Sequence, residues 1–225
     1  MTEQGRKAAQ PWQNEGFAHS WAASDRLADI LVFPRRIAVA LAGVGQGPRL
    51  VIDIGSGPGA FLEAFLDEYP LCHGVWHDAS EAMLGLGRQR LARFGDRVEF
   101  RLGDMTDLAG SQLPTEADVI ATSRAAHHLD RDALHVFYRV AAQHLAPGGW
   151  LVNLDHIGAQ EHWDQRLRAI RGHFTHGSDG PKHHHDYPLT SIDDHLRGYA
   201  AAGITDVDVV WRALYTCLFV GRKDG

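Results

Sequence analysis

The chain has 225 residues, 44% of them hydrophobic and 22% charged, with a formal net charge of −6, enough for one globular domain with a buried core. The acidic balance argues against a nucleic-acid partner, whose footprint is a basic surface. Two cysteines, Cys72 and Cys217, exclude a disulfide framework, and the absence of an apolar leader or of a run near ~20 apolar residues excludes a membrane span and makes the cytoplasm the expected location.

Residues 1–16 are polar, broken by Pro11, and read as a flexible tail. Residues 17–47 read as a helical N-terminal cap. Ser24 and Asp25 offer an N-cap ahead of Leu27, Ile30 and Leu31, and Pro34 ends that segment and opens a second helix carrying Ile37, Leu41 and Val44. The aromatic groups Phe17, His19 and Trp21 read as packing onto the domain, with a substrate lid as the other reading.

Leu50–Ile54 reads as a strand, followed by Gly55-Ser56-Gly57-Pro58-Gly59 and a helix with Phe61, Phe65 and Tyr69 on one stripe. Glycines in alternate positions let a ligand approach the backbone. The helix that follows aims its free N–H groups at the same place. An adenosine-like ligand suits that turn.

A second strand runs over residues 71–76 and closes on Asp78, which stands at capping-box spacing from Glu81. Val98, Phe100 and Leu102 alternate as a third strand leading to Gly103-Asp104, and a fourth starts at Asp118 and ends near Ser123. Asp130 caps a helix with Leu134, Phe137, Tyr138 and Ala141 facing inward. Pro147-Gly148-Gly149 is a hard turn into a fifth strand, Trp150–Leu154. Residues 158–189 break the rhythm and read as a histidine-rich insertion over the sheet rim. Thr190 or Ser191 then caps a helix through Ile192, Leu196 and Tyr199, and two strands, 205–211 and 215–220, follow too closely for a parallel crossover, so they pair antiparallel.

The pattern is a single α/β domain spanning 1–225: a Rossmann-like, doubly wound, seven-stranded sheet, mostly parallel with an antiparallel terminal strand and helices on both faces. In such sheets ligands bind outside the carboxyl ends of the strands. Those ends carry the glycine turn, Asp78, Asp104 with Met105, the segment Ser123–His128, and Asp155 with His156. A carboxylate after the second strand can accept both hydroxyls of a ribose, in a nicotinamide dinucleotide or in S-adenosylmethionine alike. The dinucleotide fingerprint places glycines first, third and sixth. Here they stand first, third and fifth, with Ala60 sixth.

Asp53-Ile54-Gly55-Ser56-Gly57-Pro58-Gly59, then Asp78-Ala79-Ser80-Glu81-Ala82-Met83-Leu84, then Gly103-Asp104-Met105, then Leu145-Ala146-Pro147-Gly148-Gly149 together resemble the class I S-adenosylmethionine-dependent methyltransferase family, of small-molecule type. The resemblance covers about Leu50 to Leu154. It implies S-adenosyl-L-methionine as cofactor and S-adenosyl-L-homocysteine as product. Gly55, Gly57 and Gly59 would pass the methionine part, with Asp53 supporting the turn or the amino group. Asp78 would hold the ribose hydroxyls, and Ala79 and Met83 of its segment join the cofactor-binding set. Asp104 would take the adenine amino group with Met105 against the ring, and Ser123 and Arg124 lie where the fourth strand meets the sulfonium end. Another reading of Asp104 is a loop carboxylate that caps a turn. The fourth strand ends in Ser123-Arg124-Ala125-Ala126-His127-His128-Leu129, not in the Asn/Asp-Pro-Pro-aromatic turn of enzymes that methylate nucleobase amines.

Methyl transfer in line needs positioning and, for an O or N acid acceptor, a general base. His127, His128 and His156 are the candidates, each with the alternative of merely bonding backbone near a helix start. The insertion carries His173, His176 and His183-His184-His185-Asp186, which could be a solvated lid, acceptor contacts or a metal site in which His183 and His185 converge. With no cysteine pair or helical histidine spacing, no metal residue is assigned. Arg88, Arg90, Arg93 and Arg97 read as a solvated helix face. The expected activity is transfer of the methyl group to an O or N of a small organic acceptor. The alternatives are a fold relative that uses the cofactor for tRNA or another non-methylating modification, and a non-catalytic cofactor- or metal-binding protein.

Overall fold

A computed structural model describes residues 11–23, 28–171 and 188–225. Its centre is a seven-stranded sheet in the order β3-β2-β1-β4-β5-β7-β6. The strands are β1 (Leu50–Ile54), β2 (His73–Asp78), β3 (Val98–Leu102), β4 (Ala117–Ser123), β5 (Leu145–His156), β6 (Asp206–Ala213) and β7 (Thr216–Arg222). The first five are mutually parallel, whereas β7 runs antiparallel to both β5 and β6, as the short connection requires.

The central strands are apolar on both faces because helices cover both. Neighbouring residues of one strand feed opposite cores. Val51 joins Phe61, Phe65, Leu66, Trp76 and Leu91 on the side of α3 (Ala60–Glu68) and α4 (Glu81–Leu91). Ile52 and Ile54 join Phe137, Tyr138 and Tyr199 on the side of α5 (Arg131–Gln143) and α7 (Ile192–Ala201). Leu134, Phe137, Tyr138 and Ala141 repeat at helical spacing and are buried, and the Asp130 side chain caps α5 through Ala133 N–H.

Several local expectations are corrected. The segment expected as tail is ordered where it is described: Pro11–Gln13 form a 3-10 turn, and α1 (Glu15–Ala23) starts on Asn14, whose Oδ1 accepts from Phe17 N–H. Pro34 does not divide two helices. It lies inside α2 (Ala28–Ala42), on a buried stripe with Leu31, Ala38 and Ala42 whose packing outweighs one lost helical hydrogen bond. The cap of α4 is Ser80, because Asp78 turns back to the glycine turn. Pro147-Gly148-Gly149 is an irregularity inside β5, with Gly148 at φ 75° still bonded to the chain end at Lys223, so the strand begins at Leu145. The insertion opens with α6 (Glu161–Arg171), while His173, His176 and His183–Asp186 lie outside the described residues. Arg97 is not merely solvated: its guanidinium donates to the carbonyls of Leu66, Tyr69, Pro70 and Cys72, closing the end of α3. Arg90 and Arg93 pair with Glu63 and Asp67.

Candidate active site

The glycine turn uses its glycines for different reasons. Gly55 has φ 66°, and a Cβ there would collide with Ala125 of the neighbouring strand end. Gly57, at φ 53°, donates its N–H to Asp78 Oδ2 at 2.8 Å and accepts from Trp76 Nε1 at 2.8 Å. A Cβ on Gly57 would meet nothing nearer than Met83 Sδ at 4.0 Å, so it would project into open space. Gly59, at φ 84°, starts α3 in the left-handed conformation, and its Cβ would press on Leu91 at 2.9 Å. Asp53 braces the turn from behind: fully buried, it accepts from Ser56 Oγ at 2.6 Å and from Leu62 N–H at 3.2 Å. Burial pushes its carboxyl up to about 7, against the pull of those bonds and of Arg35.

Asp78 closes the opposite wall. Its Oδ1 accepts from Ser80 N–H at 2.9 Å, so each oxygen already holds one backbone N–H and keeps capacity for a further donor. Burial raises its pKa. Ser80 Oγ caps α4 through Met83 N–H at 3.2 Å and donates to Trp12 O at 2.5 Å, while Gln13 Nε2 donates to Ala79 O at 2.8 Å. The N-terminal segment is thereby strapped onto the Asp78 loop.

Asp104 caps a turn and also lines the cavity. It faces the cavity, and its Oδ1 accepts from Thr106 N–H and Oγ1, each at 2.8 Å, capping the 3-10 segment Met105–Ser111. Beside it, buried His77 bonds Ser111 Oγ through Nε2 at 3.1 Å, and burial lowers its pKa to about 4.

At the end of β4, Arg124 adopts φ 53°, a conformation uncommon outside glycine, with its N–H on Leu154 O. The next turn brings three histidines together. The rings of His127 and His128 lie 4.2 Å apart, and those of His127 and His156 lie 5.2 Å apart. His127 is buried on Asp155, whose carboxylate takes its Nδ1 at 2.5 Å and its backbone N–H at 2.9 Å. Asp155 also accepts from His156 N–H, and His156 turns its Nδ1 to Thr216 Oγ1 at 3.0 Å. His128 stands edge-on to Trp12 at 5.5 Å.

These walls enclose one cavity of about 550 Å³. Of the residues expected to bind cofactor, Gly55, Gly57, Asp78, Ala79, Met83, Asp104, Met105 and Ser123 line it, whereas Asp53 and Gly59 do not. Of the expected catalytic histidines only His128 lines it; His127 and His156 stand behind. Sequence reasoning missed Trp12, Gln13, Arg35, Arg36 and His77. Trp12 and Gln13 lay in a stretch read as tail, and Arg35 and Arg36 carried no motif. His77 had one signal, a polar residue amid an apolar strand next to Asp78. Among the described residues no group of three His, Cys, Asp or Glu side chains is placed to hold a metal ion, and no helix is long and apolar enough to cross a membrane.

Comparison with known proteins agrees with this geometry. Residues 51–149 match a family model described as a methyltransferase domain. The 3-amino-4-hydroxybenzoate 4-O-methyltransferase of Streptomyces cremeus is 30% identical over 113 residues, which cover 50% of this chain and 30% of that protein. Ribosomal RNA small subunit methyltransferase H of Chlamydia caviae is 33% identical over 92 residues, covering 40% and 30%. The chain thus spans under a third of the length of these curated relatives. Among solved structures, an O-methyltransferase family protein from Burkholderia thailandensis superposes with TM-score 0.66 at 22% identity, over 96% of this chain and 64% of that one. Human N-acetylserotonin methyltransferase, solved in complex with SAM, gives 0.65 at 17% identity, over 95% and 58%. At these identities the superpositions speak for the fold.

Proposed function

We propose that this chain, a member of the class I S-adenosylmethionine-dependent methyltransferase family, is an enzyme that methylates an O or N of a small organic acceptor. The observation that carries the reading is the convergence of Gly57 and Asp78 on one cavity, joined by a hydrogen bond of 2.8 Å. The residues suit the cofactor. A Cβ-free backbone at Gly57 gives close approach, and Asp78 retains acceptor capacity for ribose hydroxyls. Asp104 and Met105 line the same cavity, where we place the adenine.

When bound, S-adenosylmethionine supplies an electrophilic methyl group on a sulfonium, and the bond pair returns to sulfur as S-adenosylhomocysteine forms. His128 faces the cavity, and imidazole as a class takes a proton near neutral pH, so His128 is the base that receives the acceptor's proton. His127, clamped by Asp155 behind it, sets the position of the His128 turn, and Trp12 packs its other side. His127 and His156 are therefore positioning residues. Free, buried Cys72 and Cys217 fit a reducing compartment, and we place the protein in the cytoplasm. The acidic chain, −6 overall, favours a small acceptor over RNA.

The test is transfer of label from methyl-labelled S-adenosylmethionine into a small-molecule extract. Label should appear in an organic product, and His128→Ala should slow it by about 100-fold or more with S-adenosylhomocysteine affinity kept. Undiminished transfer by the variant would remove His128 from the chemistry.

A further inference from the structure

The charges lining the cavity are unevenly placed. Its carboxylates Asp78 and Asp104 stand at the ends of β2 and β3. Glu63 and Asp67, at the outer rim, are tied to Arg90 and Arg93 in ion pairs of 2.8 and 2.5 Å. The other side carries Arg35 and Arg36 from α2 and Arg124 from the end of β4. An acidic protein has thus brought three guanidinium groups, those of Arg35, Arg36 and Arg124, into the lining of this cavity.

The cofactor does not account for them. Its amino-acid end carries a single carboxylate against an ammonium and a sulfonium, so it brings net positive charge to that wall. One arginine suffices for the carboxylate. Arg35 is the one whose field reaches Asp53 beneath the glycine turn, which assigns it to that end. Arg36 and Arg124 remain. Arg124 is held in a left-handed conformation, the kind of backbone strain that persists where surrounding structure fixes a residue in place at a site. It shares a turn with the candidate base, because His128 N–H donates to Ala125 O at 3.1 Å. A guanidinium has five N–H donors, so bonds to protein groups leave donors for a ligand, and its planar fork matches a carboxylate or phosphate.

From this wall we infer that the acceptor is a small organic oxyanion, a carboxylate or phosphate ester, bound through Arg124 and Arg36 with its nucleophilic group toward His128. The inference rests on the methyltransferase reading and narrows its substrate class.

The test is calorimetric titration of the full chain, saturated with S-adenosylhomocysteine, by benzoate, by phenyl phosphate and by neutral benzamide. At least one oxyanion should bind about tenfold or more tighter than benzamide, and the stronger of the two identifies its class. Arg124→Gln and Arg36→Gln should each cut that preference to about threefold or less, with S-adenosylhomocysteine affinity kept. Equal binding of the three probes to the unaltered chain, or a preference intact in both variants, would overturn the inference. Failure of the unaltered chain to bind S-adenosylhomocysteine at all would instead overturn the methyltransferase reading.

Discussion

Asp155 grips His127 twice, with Oδ1 on the ring Nδ1 at 2.5 Å and Oδ2 on the backbone N–H at 2.9 Å. Both residues are buried, so their bonds are not exchanged with water and the pair fixes the turn that carries His128. Asp155→Ala should strand three N–H donors, two of His127 and one of His156, and lower stability by about 1–3 kcal/mol, read from urea midpoints. Methyl transfer should fall with cofactor affinity retained. Unchanged stability would mean that the turn is held by other contacts.

Gly57 and Gly59 stand two residues apart and should fail differently. Gly57→Val puts a side chain where only Met83 Sδ comes within 4.0 Å, so, beyond the strain that φ 53° imposes on any side chain, the folded fraction should lose cofactor binding in a calorimetric titration. Gly59→Ala strains φ 84° and presses on Leu91, so it should cost about 1–2 kcal/mol of stability while the folded fraction still binds. Equal binding losses would mean that Gly59 belongs to the cavity wall.

Asp53 gives a pH signature. Its folded pKa of about 7 lies above the unfolded 3.8, so between these values the folded state keeps a proton that the unfolded chain has released. Stability from this group is present at the acid end and is lost as pH rises from about 4 to about 7. Asp53→Asn removes the titration. Relative to the unaltered chain, it should therefore gain on the order of a few kcal/mol across that window, read from urea unfolding at several pH values. A constant offset would contradict this.

A second buried polar group holds the other face. Tyr138 Oη meets His195 Nδ1 at 2.6 Å and accepts from Asn153 Nδ2 at 2.7 Å, and Thr190 Oγ1 meets His195 Nε2 at 3.0 Å. This ties α5, β5 and α7 beneath the site, and burial lowers the His195 pKa to about 4. Tyr138→Phe should cost about 1–3 kcal/mol of stability, with little change in cofactor affinity. A loss of affinity in proportion would show that this layer shapes the cavity.

The sheet was legible because strands buried on both faces declare themselves as short apolar runs, and the Gly55–Gly59 turn with Asp78 and Asp104 marked the rim. What escaped depended on contacts between distant segments. Trp12 is read as tail until Ser80 Oγ is seen to reach its carbonyl, 68 residues away. Arg35 and Arg36 lie on a helix whose bounds were obscured by Pro34, which packing absorbs. Adjacent histidines could not be ranked from sequence, since only burial separates His127 on Asp155 from His128 at the cavity. Asp53 and Gly59 carried the right motif in a supporting role.

The most direct measurement is a calorimetric titration of the chain with S-adenosylhomocysteine, run beside Asp78→Ala. The account predicts one site per chain, with affinity lowered by about tenfold or more in the variant, which removes the carboxylate that accepts Gly57 N–H and that we propose holds the ribose hydroxyls. Failure of the unaltered chain to bind, or binding unaffected by loss of Asp78, would contradict it.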